Sequence, residues 1–197
     1  MNYSSKFVEK YMLIAKTVGT VHNPCYSRQI GVIIVRDNKI LGTGYNGPPK
    51  GTPHCDDYNY LQDFFWPQLT IEEKKKLIPE YTEKLDFLYS GQFAQIHAKC
   101  QTCPRRLIGA GPGERSTLCS CQHAERNAIT NAAQDLTGAA MFCWCGIPCI
   151  DCTGAIINSG IERVYFLNDG KPVYHNVSEV LFREADIPLI SWKETNE

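Results

Sequence analysis

The sequence predicts an α/β fold, a sheet covered by helices with an antiparallel hairpin at its start. Three observations carry this reading. A β-branched run, Ile30-Gly31-Val32-Ile33-Ile34-Val35, meets the turn pair Asp37-Asn38 and returns as a second strand from Lys39 to Thr43. The second half alternates helical and strand patterns. At 197 residues the chain is long enough to bury a sizeable core as one domain.

Taken in order, residues 4–18 suit a helix: Ser4 or Ser5 can cap it, and Phe7, Tyr11, Ile14, Ala15 and Val18 recur near helical spacing. The hairpin follows, then a loop from Gly44 to Gly51 whose glycines and prolines fix an irregular backbone. Across about 56–102 the composition changes. Aromatics gather at Phe64-Phe65-Trp66-Pro67, and a charged helical stretch runs from Thr70 to Tyr89, broken or kinked at Pro79. This stretch reads as an insertion packed on the main sheet of a single domain, with a lid or a subunit contact as alternative uses of its aromatics. Beyond it come a helix from about His123 to Gln134, a strand from Ala140 to Trp144 and a helix from about Cys149 to Asn158. A strand from Val164 to Leu167, a helix from Val177 to Glu184 and a last strand from Leu189 to Trp192 complete the alternation.

A formal charge of −1 does not suit a polynucleotide binder, which is usually strongly basic. A small anionic substrate needs only a local cation. The first residues intersperse charges with apolar side chains and read as an amphipathic helix, not a signal peptide. No stretch approaches the roughly 20 apolar residues of a membrane span. Ten cysteines in such a chain point to metal binding or catalysis in a reducing, cytoplasmic setting.

His123-Ala124-Glu125 opens one predicted helix and Pro148-Cys149-Ile150-Asp151-Cys152 opens another. One imidazole and a C-x-x-C pair supply three zinc ligands and leave the fourth tetrahedral position to water, whose pKa the metal lowers towards neutrality. Cys149 and Cys152 sit three apart at a helix start, where exposed N–H groups favour thiolate. Glu125 is left over as a proton carrier. A buried C-x-x-C, a structural zinc knuckle and a redox pair are the competing readings, but structural sites normally close all four positions with Cys and His.

With these residues in place, the chain resembles the deoxycytidylate deaminases of the cytidine deaminase-like superfamily, particularly the branch containing competence-operon deaminase-like proteins. The H-x-E…P-C-x-x-C arrangement marks zinc-dependent nucleobase deaminases in general. The resemblance also runs through residues 25–31, Gly44-Tyr45-Asn46-Gly47, Pro53-His54-Cys55-Asp56, Gly113-Glu114-Arg115 with Cys119, and residues 123–129. It implies a three-layer α/β/α fold with a mixed five-stranded sheet and helices on both faces. The implied activity is hydrolysis of deoxycytidylate to deoxyuridylate and ammonia, supplying thymidylate synthesis. Metal-activated water would attack C4 of cytosine while Glu125 shuttles the proton.

The resemblance further implies that the Ala124 N–H binds the cytosine carbonyl, that Asn46 holds the deoxyribose hydroxyl, and that Ser27, Arg28 and Tyr174 lie near the phosphate. Taken alone, Asn46 could be a turn residue, a reading the family context sets below the functional one, and Arg28 and Tyr174 read equally as a surface cation and a surface aromatic. Cys25, Cys55, Cys103 and Cys119 match a structural zinc site, with His54, Cys100 and Cys121 competing for the same role. Such a site would staple the N-terminal segment and both ends of the insertion to the loop before His123. Cys143 and Cys145 read as small core residues, and His22, His97 and His175 as surface or loop histidines. Related enzymes imply a hexamer, activation by dCTP, inhibition by dTTP, and Mg2+ accompanying an allosteric nucleotide. A bifunctional dCMP/dCTP deaminase, a tRNA or single-stranded DNA deaminase, and a non-catalytic zinc scaffold are the alternatives.

Overall fold

The computed structural model describes residues 3–21, 23–111, 113–168 and 176–194. The chain divides into two units, one of Met1–Asn23, Gln29–Asn46 and Gln122–Glu197, the other of Pro24–Arg28 and Gly47–Cys121. The second is wider than the 56–102 insertion expected from composition.

The first unit is built on a five-stranded sheet, β1 (Gly31–Arg36), β2 (Lys39–Tyr45), β3 (Ala140–Trp144), β4 (Arg163–Leu167) and β5 (Leu189–Trp192), in the order β2-β1-β3-β4-β5. β1 pairs antiparallel with β2 and β3, while β3–β4 and β4–β5 are parallel, so the sheet is mixed. The continuous apolar run of β1 follows from burial on both faces. Ile33 and Val35 join Ala140, Phe142 and Tyr165 under α1 (Ser5–Val21), which contributes Val8, Tyr11, Met12 and Ala15. Val32 and Ile34 join Met141, Cys143 and Val164 on the opposite face. There they meet α5 (Ala124–Ala132), α6 (Ile150–Asn158) and α7 (Asn176–Glu184) through Ala124, Ala128, Ala132, Ile156 and Phe182. Helices on both faces make the three-layer α/β/α arrangement.

β2 runs to Tyr45, so Gly44 and Tyr45 belong to the strand and not to the loop expected after Thr43. The reason lies in the packing of α5. A Cβ on Gly42 would lie 2.5 Å from the Ala128 carbonyl oxygen, and one on Gly44 would overlap the Ala124 carbonyl and the Ala128 amide. The glycines serve strand–helix contact here, not a turn.

The second unit has its own apolar core around Leu61, Phe65, Trp66, Phe93, Ala94 and Leu118. Its helices are α2 (Ile71–Leu77), α3 (Asp86–His97) and the short α4 (Pro104–Leu107). The charged stretch from Thr70 is interrupted after Ile78, in keeping with Pro79, and resumes as α3. Thr70 and Glu73 form a reciprocal capping box at the start of α2. Phe65 and Trp66 are fully buried rather than presented outwards. The Trp66 indole N–H, the Lys74 ammonium and the Tyr81 hydroxyl all donate to Asp86 Oδ1, at 3.0, 2.8 and 2.8 Å. Burial opposes ionisation of Asp86, but these three donors outweigh it and hold the carboxyl below its usual range.

Candidate metal centre

His123 and Cys149 are the N-caps of α5 and α6, and Cys152 sits in the first turn of α6. α6 follows the carboxyl end of β3, where α/β sheets commonly place their sites. The packing of Ala124 and Ala128 on one side and Ile156 on the other brings these two helix starts together. His123 Nδ1 lies 3.3 Å from Cys149 Sγ and 3.4 Å from Cys152 Sγ. Among the described residues, this is the only His/Cys/Asp/Glu group whose ligand atoms all lie within 4.8 Å of one another. The positive ends of two helices face it.

The titration of the group follows from these contacts. The hydrogen bond with Cys152, reinforced by His123, pulls the Cys149 thiol down to about 3. The same hydrogen bond, with burial, pushes Cys152 up, so the pair shares a proton. His123 is raised, chiefly by Cys149. One imidazole and two thiols, one already acidic, are a donor set that fits zinc and leaves one tetrahedral position over. Glu125 is not among the convergent ligands; it is 4% exposed, and burial raises its pKa against the pull of His123. Its carboxyl also hydrogen-bonds Cys152, which puts it beside the ligand group.

The Ala124 N–H donates to Asn46 Oδ1 at 2.9 Å in a buried contact. Two residues expected to meet substrate separately are therefore joined to each other. Arg126, which sequence reasoning passed over, places its charge near His123 and Cys152, and its Nε is buried without a hydrogen-bond partner. Its position directly after Glu125 was the available signal. Tyr174, His22 and His175 lie outside the described residues. Cys143 is buried in β3 as expected, and Cys145, one residue beyond the strand, is partly buried against the same core.

In the second unit the thiol of Cys121 hydrogen-bonds those of Cys119, Cys25 and Cys55. The contact with Cys121 lowers Cys25 to about 5 and Cys119 to about 6, and raises Cys121 in return. Cys121, given only as an alternate by the sequence, thus sits at the centre of the cluster. Cys103 is buried nearby, its thiol pushed up by burial, and Cys100 is exposed and donates to the Ile96 carbonyl at 2.8 Å. His54 Nδ1 lies 2.5 Å from Asp56 Oδ1, and its Nε2 is buried without a partner. The Ser27 and Arg28 backbone amides hydrogen-bond the Cys25 sulfur, and Arg106 donates to Ser27 Oγ at 3.2 Å.

Residues 5–168 match the model of the cytidine and deoxycytidylate deaminase zinc-binding region. The chain belongs to this family. Among its relatives in the family is the deoxycytidylate deaminase of Mycobacterium phage D29, 29% identical over 164 residues, which span 80% of this chain and 92% of the phage protein. That of Enterobacteria phage T2 is 29% identical over 182 residues, 88% of each. The dCMP deaminase of cyanophage S-TIM5, solved with dCMP and dUMP, shares the fold with a TM-score of 0.58 at 19% identity. The alignment covers 97% of this chain and all of that one. No described helix is long and apolar enough to cross a membrane.

Proposed function

We propose that the protein deaminates deoxycytidylate to deoxyuridylate, releasing ammonia. The observation that carries this is the convergence of His123, Cys149 and Cys152 with the buried carboxyl of Glu125 beside them. The family membership and the names of the phage relatives support the choice of substrate.

Zinc held by His123, Cys149 and Cys152 supplies Lewis acidity and lowers the pKa of water. Glu125 moves the protons: it accepts one from the attacking water, delivers it to N3 of the ring, and then assists departure of the amine. A carboxyl whose pKa burial has raised suits both halves of that cycle. Asn46 holds the Ala124 amide at the mouth of α5, and the pair orients the pyrimidine and its sugar. Ser27, Arg28 and Tyr174 remain the phosphate candidates.

The second thiol cluster is assigned to a structural zinc with Cys25, Cys55, Cys119 and Cys121 as ligands, in preference to Cys103. Cys121 linked to three further thiols, two of them acidified, is the supporting observation. A homohexamer, cytoplasmic location, activation by dCTP with Mg2+ and inhibition by dTTP complete the proposal. Ultraviolet-monitored turnover of cytidine, deoxycytidine, dCMP, dCTP and a single-stranded oligonucleotide in parallel tests it. The highest kcat/KM is expected for dCMP. Zinc-loaded protein that leaves dCMP intact overturns the reading, and preference for the triphosphate or the oligonucleotide redirects it.

A further inference from the structure

α5 is tied to the edge strand β2 by side-chain amides that the chemistry above does not use. Asn127 Nδ2 donates to the Tyr45 carbonyl at 2.8 Å, Asn131 Nδ2 to the Thr43 carbonyl at 3.0 Å, and Gln134 Nε2 to the Leu41 carbonyl at 3.4 Å. Asn127 and Asn131 are four apart on α5 and Gln134 follows just beyond its end, while the strand positions step back by two. β2 is the outer strand of the sheet, so alternate carbonyls along it have no strand to accept from. The amides fill that role.

The match is geometric. Four helix residues advance about 6 Å and two strand residues about 6.6 Å, so two rungs nearly coincide. The third donor, Gln134, lies just past the end of α5, beyond the left-handed Ala133, and reaches Leu41, the residue that the bulge in the β1–β2 pairing leaves without a register partner, through the longest of the three hydrogen bonds. Sliding α5 by one residue would break all the rungs together. At the metal end the series continues into the Asn46–Ala124 hydrogen bond, immediately beside His123 and Glu125.

We propose that Asn127, Asn131 and Gln134 are positioning residues that set the register of α5 against β2. They thereby fix His123 and Glu125 relative to Cys149 and Cys152, which belong to a different helix. The close seat of α5 on Gly42 and Gly44 sets how near the helix lies, and the amides set where it stops along the strand. The kinetic arm of the test rests on the deaminase reading; the metal arm does not.

The test compares Asn127→Asp, Asn131→Asp and Gln134→Leu with the parent. The aspartates are close in shape to asparagine but turn a donor into an acceptor facing a carbonyl; Asn127→Gln and Asn131→Gln restore the donor. Cobalt(II) replaces zinc, its visible spectrum reports ligand geometry without substrate, and a chromophoric chelator measures affinity. Asn127→Asp should alter the cobalt spectrum and lower metal affinity and kcat by about tenfold each, with KM changed less, as expected for groups supporting metal ligands. Asn131→Asp should do less and Gln134→Leu least, and the glutamine variants should recover most of the loss. Unaltered spectra and affinities, or losses that follow melting temperature instead of distance from His123, overturn the proposal and leave the amides as edge protection. If Asn127→Asp does not fold, Asn131→Asp and Gln134→Leu decide by the same criteria. A parent protein that leaves dCMP intact counts against the deaminase reading and leaves the metal arm to decide the clamp, whereas loss of turnover in a variant with an unchanged cobalt spectrum counts against the clamp.

Discussion

Two thiol-bearing regions in one chain are supported in different ways. His123, Cys149 and Cys152 stand at the first turns of helices whose places are set by a hydrogen-bonded sheet. Cys25, Cys55, Cys119 and Cys121 all lie outside strands and α-helices, and each is held by thiol contacts and short turns. The first group is held by the packing of regular elements; the second rests on irregular backbone, where the proposed structural zinc would add support. Under the proposed function the first kind of support matters most, since a ligand set fixed by the scaffold would keep Glu125 in place beside it.

The sharpest break in that comparison is Cys149→Ser. It should remove metal from the first group only and lower dCMP turnover by at least about 1,000-fold, as loss of a catalytic metal site implies; metal analysis with turnover checks it. Cys121→Ser should reverse the pattern, taking the zinc content from about two per chain to one and leaving the cobalt spectrum of the first site intact. The accompanying stability loss should exceed about 3 kcal/mol, roughly 6–12 °C in melting temperature. Gly44→Ala should cost about 1–3 kcal/mol and lower kcat, because the added methyl meets helix backbone and not a movable side chain.

The smallest effect concerns pH. The Asp86 carboxyl is held below its usual range, so its contribution is complete above the ordinary aspartate pKa of about 4 and is lost as pH falls through the lowered folded-state value. Asp86 is substantially exposed, so the contribution is about 0.5 kcal/mol or less. Asp86→Asn should flatten the acid limb of a thermal-melting profile without changing metal content.

The same contrast explains what could be read in advance. The strands at 140–144 and 189–192 match the expected bounds because both faces or one face impose a simple pattern on them. The candidate metal ligands were legible because a helix start fixes the direction of residues three apart. Cys121 was not distinguishable from Cys103, since spacing along irregular backbone does not say which thiols converge. Nor was the role of Gly44: a glycine that permits a turn and one that admits a helix look alike in sequence. Asn46 and Ala124 were both singled out, but their contact depends on where α5 stops along β2, which no local pattern encodes.

The most direct measurement is ammonia release by zinc-loaded Glu125→Gln. This variant should keep its metal at the His123, Cys149 and Cys152 site while kcat on dCMP falls by about 100- to 10,000-fold, the range for loss of a proton-transferring group. An unchanged rate with the metal in place would contradict the assignment of Glu125 and, with it, the account of this site as a deaminase centre.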